Sequence, residues 1–194
     1  MSFQFVAQQG KSDRTLVLLH GTGGDEHSLL ALGSALDPAA SLFSVRGRID
    51  EHGQNRFFRR FQEGIFDLEN LASETESLAQ FLAGQSLGDD AMLVGFSNGA
   101  NMAASLLIRH PELFSGGILL RPMVTFQPDS VPSLQGIRVL IASGERDPMV
   151  PRESAEGLAA IFVEGGADVE HIWTSGGHNL ARSEIEHAAE WLKR

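Results

Sequence analysis

The chain is predicted to fold as an α/β protein, a mostly parallel central sheet with helices on both faces. Three features of the sequence lead there. Short apolar runs of strand type alternate with stretches of helical period from end to end, the pattern of strand, crossover helix and next parallel strand. Three of the runs, Thr15 to His20, Ala91 to Phe96 and Ile137 to Ala142, are nearly continuous, as strands buried on both faces are. No repeat, low-complexity tract or linker interrupts the 194 residues, so one domain over 1–194 with a full core is expected.

Phe3 to Ala7 alternates apolar and polar residues and reads as an edge strand. Thr15 to His20 runs into Gly21-Thr22-Gly23-Gly24, glycines that let the backbone turn hard after a central strand. Asp25 or Glu26 is then expected to cap a helix with Leu29, Leu30, Leu32 and Leu36 on one face, ended by Asp37-Pro38. Ser41 to Val45 reads as a strand. Arg46 to Asn70 is irregular, and a loop of that length in a compact domain is usually functional or mobile. Leu71 to Leu87 reads as a helix, Ala91 to Phe96 as a strand, and Asn98 to His110 as a helix closed by Pro111. Ser115 to Leu120 is a further strand, followed by a proline-rich loop to Gly136 and the strand Ile137 to Ala142. A helix from about Arg152 to Val163, a Gly165-Gly166 break, a last strand Asp168 to Thr174 and a closing helix Leu180 to Leu192 complete the order.

Charge and composition narrow the function. The net charge is −10 and only Lys11 and Lys193 are lysines, a surface that repels phosphate backbones, so no nucleic-acid partner is expected. The absence of cysteine removes disulfides, thiolate catalysis and zinc–sulfur sites, and fits a cytoplasmic protein. The start, Met-Ser-Phe-Gln-Phe-Val, reads as neither a signal peptide nor a membrane span, and no stable membrane insertion is expected.

The chemistry centres on Gly95-Phe96-Ser97-Asn98-Gly99. This is Gly-x-Ser-x-Gly set between a strand and a helix, which would expose the Ser97 hydroxyl at the tip of a sharp turn. The following helix N-terminus would face developing negative charge. A serine hydroxyl needs a base, and the base an orienting group. Ser97, Asp147 and His178 follow in that order, each just after a predicted strand, the order expected of an α/β-hydrolase. Ligands in open parallel sheets sit at those carboxyl ends. Among the other histidines, His20 reads as a brace of the glycine turn, His110 ends a helix, His171 lies inside a strand and His187 on the closing helix; His27 and His52 lie in or near loops. Asp129 sits mid-loop, and Asp168 starts a strand at the wrong end of the sheet.

Four segments together resemble the phospholipase/carboxylesterase family of serine hydrolases, to which acyl-protein thioesterases also belong. They are His20-Gly21-Thr22-Gly23-Gly24, Gly95-Phe96-Ser97-Asn98-Gly99, Gly144-Glu145-Arg146-Asp147-Pro148-Met149-Val150-Pro151 and Gly176-Gly177-His178. The stretch Asn55 to Leu71, with Arg56-Phe57-Phe58-Arg59-Arg60-Phe61 and Glu63-Gly64-Ile65-Phe66-Asp67, looks most like bacterial carboxylesterases associated with hydroquinone dioxygenases. The resemblance implies an α/β-hydrolase fold without a large lid domain and a catalytic triad of Ser97, His178 and Asp147. It also implies oxyanion donors from the backbone N–H groups of Thr22 and Asn98, with no cofactor and no metal. Family members often carry glutamine where Asn98 stands, a change that a backbone donor tolerates.

A small ester is the expected substrate. Gly23, Phe57, Met123 and Met149 are candidates for its pocket. Arg56, Arg59 and Arg60 either bind an anionic group or pair with Asp50, Glu51, Glu63, Asp67 and Glu69, and the structural reading is favoured. Phe57, Phe58 and Phe61 are open between core, pocket and a homodimer contact. Two alternatives stand beside the esterase. One is a thioesterase or lysophospholipase for longer acyl chains. The other is a non-catalytic binding protein on the same scaffold, which would have lost a triad member or filled the oxyanion turn; here every part is present.

Overall fold

In the computed structural model, which describes residues 3–194, seven strands form the main sheet; Met1 and Ser2, part of the start read above for a leader, lie outside the described residues. These strands are β1 (Phe5–Gln8), β2 (Arg14–Leu19), β3 (Ser41–Val45), β8 (Asp90–Phe96), β9 (Gly116–Leu120), β10 (Arg138–Gly144) and β11 (Asp168–Thr174). Their order is β1-β3-β2-β8-β9-β10-β11, with β1 antiparallel at one edge and the rest parallel. The other four strands make two hairpins between β3 and the next long helix: β4 (Ile49–Glu51) with β5 (Gln54–Arg56), and β6 (Arg60–Gln62) with β7 (Ile65–Phe66).

Five helices cover the sheet: α1 (Leu30–Leu36), α2 (Leu68–Ala83), α3 (Asn98–Arg109), α4 (Arg152–Glu164) and α5 (Arg182–Leu192). The near-continuous apolar runs have a direct physical use. Successive strand side chains point to opposite faces, so Val17, Leu19, Leu93, Val139 and Ile141 pack under α2, α3 and α4. Their neighbours Leu16, Leu18, Met92, Val94 and Leu140 pack under α1 and α5. No helix among the described residues is long and apolar enough to cross a membrane.

Two expectations need correction. Asp25 and Glu26 do not cap α1, which starts at Leu30 with no side-chain cap. The Asp25 carboxylate instead accepts the His27 N–H at 2.9 Å and the Ser28 hydroxyl at 3.0 Å in a local turn, and Glu26 pairs with Arg46. The segment after Arg46 is not irregular throughout, because it folds into the two hairpins. Its end is recruited into α2, where Asp67 caps the helix by accepting the Asn70 N–H.

The sheet carries five loops to one end. Thr22 follows β2, Ser97 follows β8, Arg121 follows β9, Asp147 follows β10 and His178 follows β11. Thr22, Ser97, Arg121, Asp147 and His178, dispersed along the sequence, thereby meet at the carboxyl ends of adjacent strands.

Candidate active site

Ser97 sits at the break between β8 and α3 with φ 52° and ψ −114°. A non-glycine residue in that region is strained. The turn is held by the Ser97 N–H donating to Leu120 O at 2.9 Å and by the Asn101 N–H donating to Ser97 O at 3.0 Å. It is also too crowded for side chains on its flanks. A Cβ on Gly99 would stand 2.0 Å from Leu19 O, and one on Gly95 would stand 2.5 Å from Gly99 O. The two glycines thus let α3 press against β2 and β8.

Ser97 Oγ lies 2.9 Å from His178 Nε2, and His178 Nδ1 lies 2.8 Å from Asp147 Oδ2. A carboxylate accepts and does not donate, so Nδ1 carries the proton and Nε2 presents its lone pair to the serine hydroxyl. The Asp147 side chain is 1% exposed. Its Oδ1 accepts the N–H groups of Met149 at 2.8 Å and Val150 at 3.2 Å, which fixes the carboxylate face toward the imidazole.

Thr22 and Asn98 line the same cleft as Ser97. Thr22 N–H has no hydrogen-bond partner among the described residues. Asn98 is the first residue of α3, where no preceding helical turn is available to accept its N–H. The glycine turn around Thr22 is braced by His20, as the sequence suggests. The Gly47 N–H donates to His20 Nε2 at 2.9 Å, and Nδ1 lies 2.6 Å from Gly21 O. Burial holds the His20 pKa below its usual value, with the Gly21 carbonyl opposing.

Arginine and asparagine side chains that the motifs do not mark complete the arrangement. Arg121, fully buried and at φ 59°, spans the loop that carries His178. Its Nε donates to Gly177 O at 2.8 Å and its Nη2 to Asn179 O at 3.0 Å, the carbonyls on either side of His178. The guanidinium also pairs with the buried Glu184, whose Oε2 accepts from Nη2 at 2.8 Å. Asn98 Oδ1 accepts the Phe57 N–H at 2.7 Å, and Asn101 Oδ1 the Met123 N–H at 2.9 Å, so α3 anchors two loops of the cleft.

The cleft over Ser97 has a free volume of about 30 Å³, walled by Thr22, Arg56, Arg60, Phe66, Met123 and Met149 among others. A larger hollow of about 830 Å³ lies at the opposite end of the sheet, around Thr15, Ser41 and Asp90, away from the nucleophile turn. Of the pocket candidates, Met123 and Met149 line the cleft, while Gly23 and Phe57 do not. Asn98 pins the Phe57 N–H, and the ring turns inward against His20, leaving Phe57 2% exposed. Gly23 donates its N–H to Asn55 O and faces Gln54. Phe58 is buried in the core and Phe61 is exposed. The other histidines have structural partners or lie elsewhere: His110 on Glu76, His171 on Ser143 and His187 on Glu170.

The arginine cluster divides. Arg59 is exposed and pairs with Asp67, which fits the structural reading. Arg56 is 2% exposed, yet it reaches the cleft and donates to Thr22 Oγ1 at 2.6 Å. Burial, and then Arg60, lower the Arg56 pKa from the usual arginine value, against the pull of Glu51 and Glu63.

A family model described as serine hydrolase (FSH1) matches residues 45–186, which include Ser97, Asp147 and His178. The chain belongs to that serine hydrolase family. It is 42% identical over 193 residues to MhqD of Bacillus subtilis (strain 168), named as a hydrolase, covering 97% of this chain and 96% of that one. It is similar in structure to the Bacillus cereus carboxylesterase, with a TM-score of 0.95 and 40% identity over 98% of this chain and 93% of the other. It is also similar to YahD in its structure with malic acid, with a TM-score of 0.91 and 32% identity over 98% of both chains. The likeness to bacterial carboxylesterases expected from Asn55 to Leu71 therefore extends along the whole of this serine hydrolase.

Proposed function

We propose that this serine hydrolase is a carboxylesterase for small carboxylic esters, acting through Ser97, His178 and Asp147 in one catalytic domain over residues 1–194. The observation that carries the reading is the continuous relay from Ser97 Oγ to His178 Nε2 (2.9 Å) and from His178 Nδ1 to Asp147 Oδ2 (2.8 Å). Ser97 Oγ attacks the ester carbonyl while His178 takes its proton. The backbone N–H groups of Thr22 and Asn98 receive the oxyanion. His178 then gives the proton to the departing alcohol, leaving an acyl group on Ser97. Water, deprotonated by the same imidazole, releases the acid and restores the serine. Asp147 holds the imidazole tautomer and stabilises its cation without taking its proton.

The charged side chains of Arg56, Arg60 and Glu63 on the cleft wall suit a short polar acyl group better than the long apolar chain of the thioesterase or lysophospholipase alternative. The malic acid in the YahD structure, a small dicarboxylic acid, is in keeping with that size. The test is intact-mass labelling with a fluorophosphonate. One adduct on the wild type and none on Ser97→Ala is expected, with short acyl esters preferred in a chain-length series. A folded wild type that takes no adduct overturns the mechanism.

A further inference from the structure

Two arginines on the cleft wall have more donors than the protein uses. Arg56 donates Nε to Phe58 O at 3.1 Å and Nη1 to Thr22 Oγ1 at 2.6 Å. Its Nη2 has no hydrogen-bond partner among the described residues. That nitrogen is not sealed in the core either, because the buried side-chain polar atoms without partners are Glu51 Oε2, Asn98 Nδ2 and Thr174 Oγ1. Arg56 is 2% exposed and lines the cleft beside Ser97, which places its open donor within reach of a ligand there. Arg60 repeats the arrangement. Its Nε donates to Glu51 at 2.9 Å and its Nη1 to Glu63, while Nη2 is without a hydrogen bond among the described residues.

We propose that Arg56 and Arg60 form a carboxylate subsite beside the nucleophile, so that the preferred substrates are short mono-esters of dicarboxylic acids. The inference rests on the esterase reading above and specifies its substrate class. The acids already present leave room for such a ligand. Glu51 lies between both guanidiniums, 3.4 Å from Arg56 Nε and 2.9 Å from Arg60 Nε. Glu63 is more than half exposed and holds Arg60 from the solvent side, so an incoming carboxylate can displace it at little desolvation cost. Planar guanidiniums suit that ligand, because their paired N–H groups match the two oxygens of a carboxylate.

The placement also says which half of the ester carries the charge. His178 must hand a proton to the leaving alcohol, so the alcohol lies on the His178 flank. Arg56 touches the Thr22 turn, and neither Arg56 nor Arg60 is bonded to the His178 loop. The free carboxylate therefore belongs to the acyl half. Hydrolysis would release the neutral alcohol and a dicarboxylate.

The test compares kcat/KM for monomethyl succinate and dimethyl succinate, with 4-nitrophenyl acetate as an uncharged reference. A preference for the mono-ester of about tenfold or more is expected, the scale of one charge-assisted hydrogen bond, and it should shrink as salt is added. Arg60→Gln should lower the mono-ester to diester ratio. Glu63→Gln, which removes the competing carboxylate, should raise it, a gain that a merely structural ion pair would not give. Equal or faster turnover of the diester, or a ratio unmoved by Glu63→Gln, overturns the subsite while leaving the esterase standing. No turnover of any of the three esters overturns the esterase reading and the subsite with it.

Discussion

Replacing Glu184 by glutamine tests whether the buried Arg121–Glu184 pair holds the histidine loop. Both side chains are fully buried, and Arg121 bridges the carbonyls of Gly177 and Asn179 on either side of His178. The substitution keeps the shape and one acceptor but removes the nearer negative charge, so the buried guanidinium keeps only the Asp147 carboxylate, 4.0 Å from its Nε, as a counter-ion. Breaking a buried pair from one side costs about 3–5 kcal/mol, about a fifth or more of the stability of a typical domain, about 5–15 kcal/mol. With a urea m-value of about 2 kcal/mol/M, the unfolding midpoint should fall by about 2 M. A relaxed guanidinium would also release the two carbonyls, and a displacement of His178 by about 1 Å would lower kcat about a hundredfold. Urea unfolding and 4-nitrophenyl acetate turnover on the same preparation read both effects. A midpoint within about 0.3 M of wild type, with kcat intact, would refute the reasoning.

Two further predictions concern α3 and the histidines His20 and His171. Asn98→Ala and Asn101→Ala each strand a buried loop N–H, on Phe57 and Met123 respectively. Each should cost about 1–3 kcal/mol, seen as a melting temperature lower by about 3–10 °C, and an unchanged melting temperature would count against the anchoring role. Burial lowers the pKa of both His20 and His171. Between the ordinary value near 6.5 and those lowered values, the unfolded chain binds more protons than the native one. Stability is therefore full above about pH 6.5 and declines as pH falls toward the lowered values, and melting curves at pH 7.5 and 5 should show the decline. It should be smaller in His171→Gln, and equal declines in variant and wild type would remove His171 as a source.

Much of the fold was legible because the signals are local. Continuous apolar runs marked β2, β8 and β10 as strands buried on both faces, and the glycines and the serine between β8 and α3 marked the turn. Ser97, Asp147 and His178 could be singled out because each follows a strand, and the sheet brings them within hydrogen-bond distance. The hairpins β4 to β7 were not legible, since strands of two or three residues are too short to show an alternation. Asp25 and Glu26 looked like caps, but the first serves a turn and the second an arginine. Arg121 reads as one loop residue after a strand. Its partner Glu184 lies 63 positions away, and only an acid three residues after Ala181, whose N–H it accepts at 2.6 Å, hinted at a terminal role. Phe57 looked like a wall of the pocket because nothing in the sequence shows that Asn98 turns its backbone inward.

The crossing of β2, β8 and α3 at Gly95 and Gly99 divides the molecule into two regimes of mutability. Close to Ser97 the backbones meet with no room for a methyl group, so a library of variants there should return inactive or unfolded protein almost uniformly. Arg60, Glu63 and Phe66 from the β6–β7 hairpin and Met123 and Met149 from loops line the same cleft outside that crossing. Diversifying those five positions changes what enters the cleft while the turn beneath it stays fixed, and selections for new substrates are best aimed there.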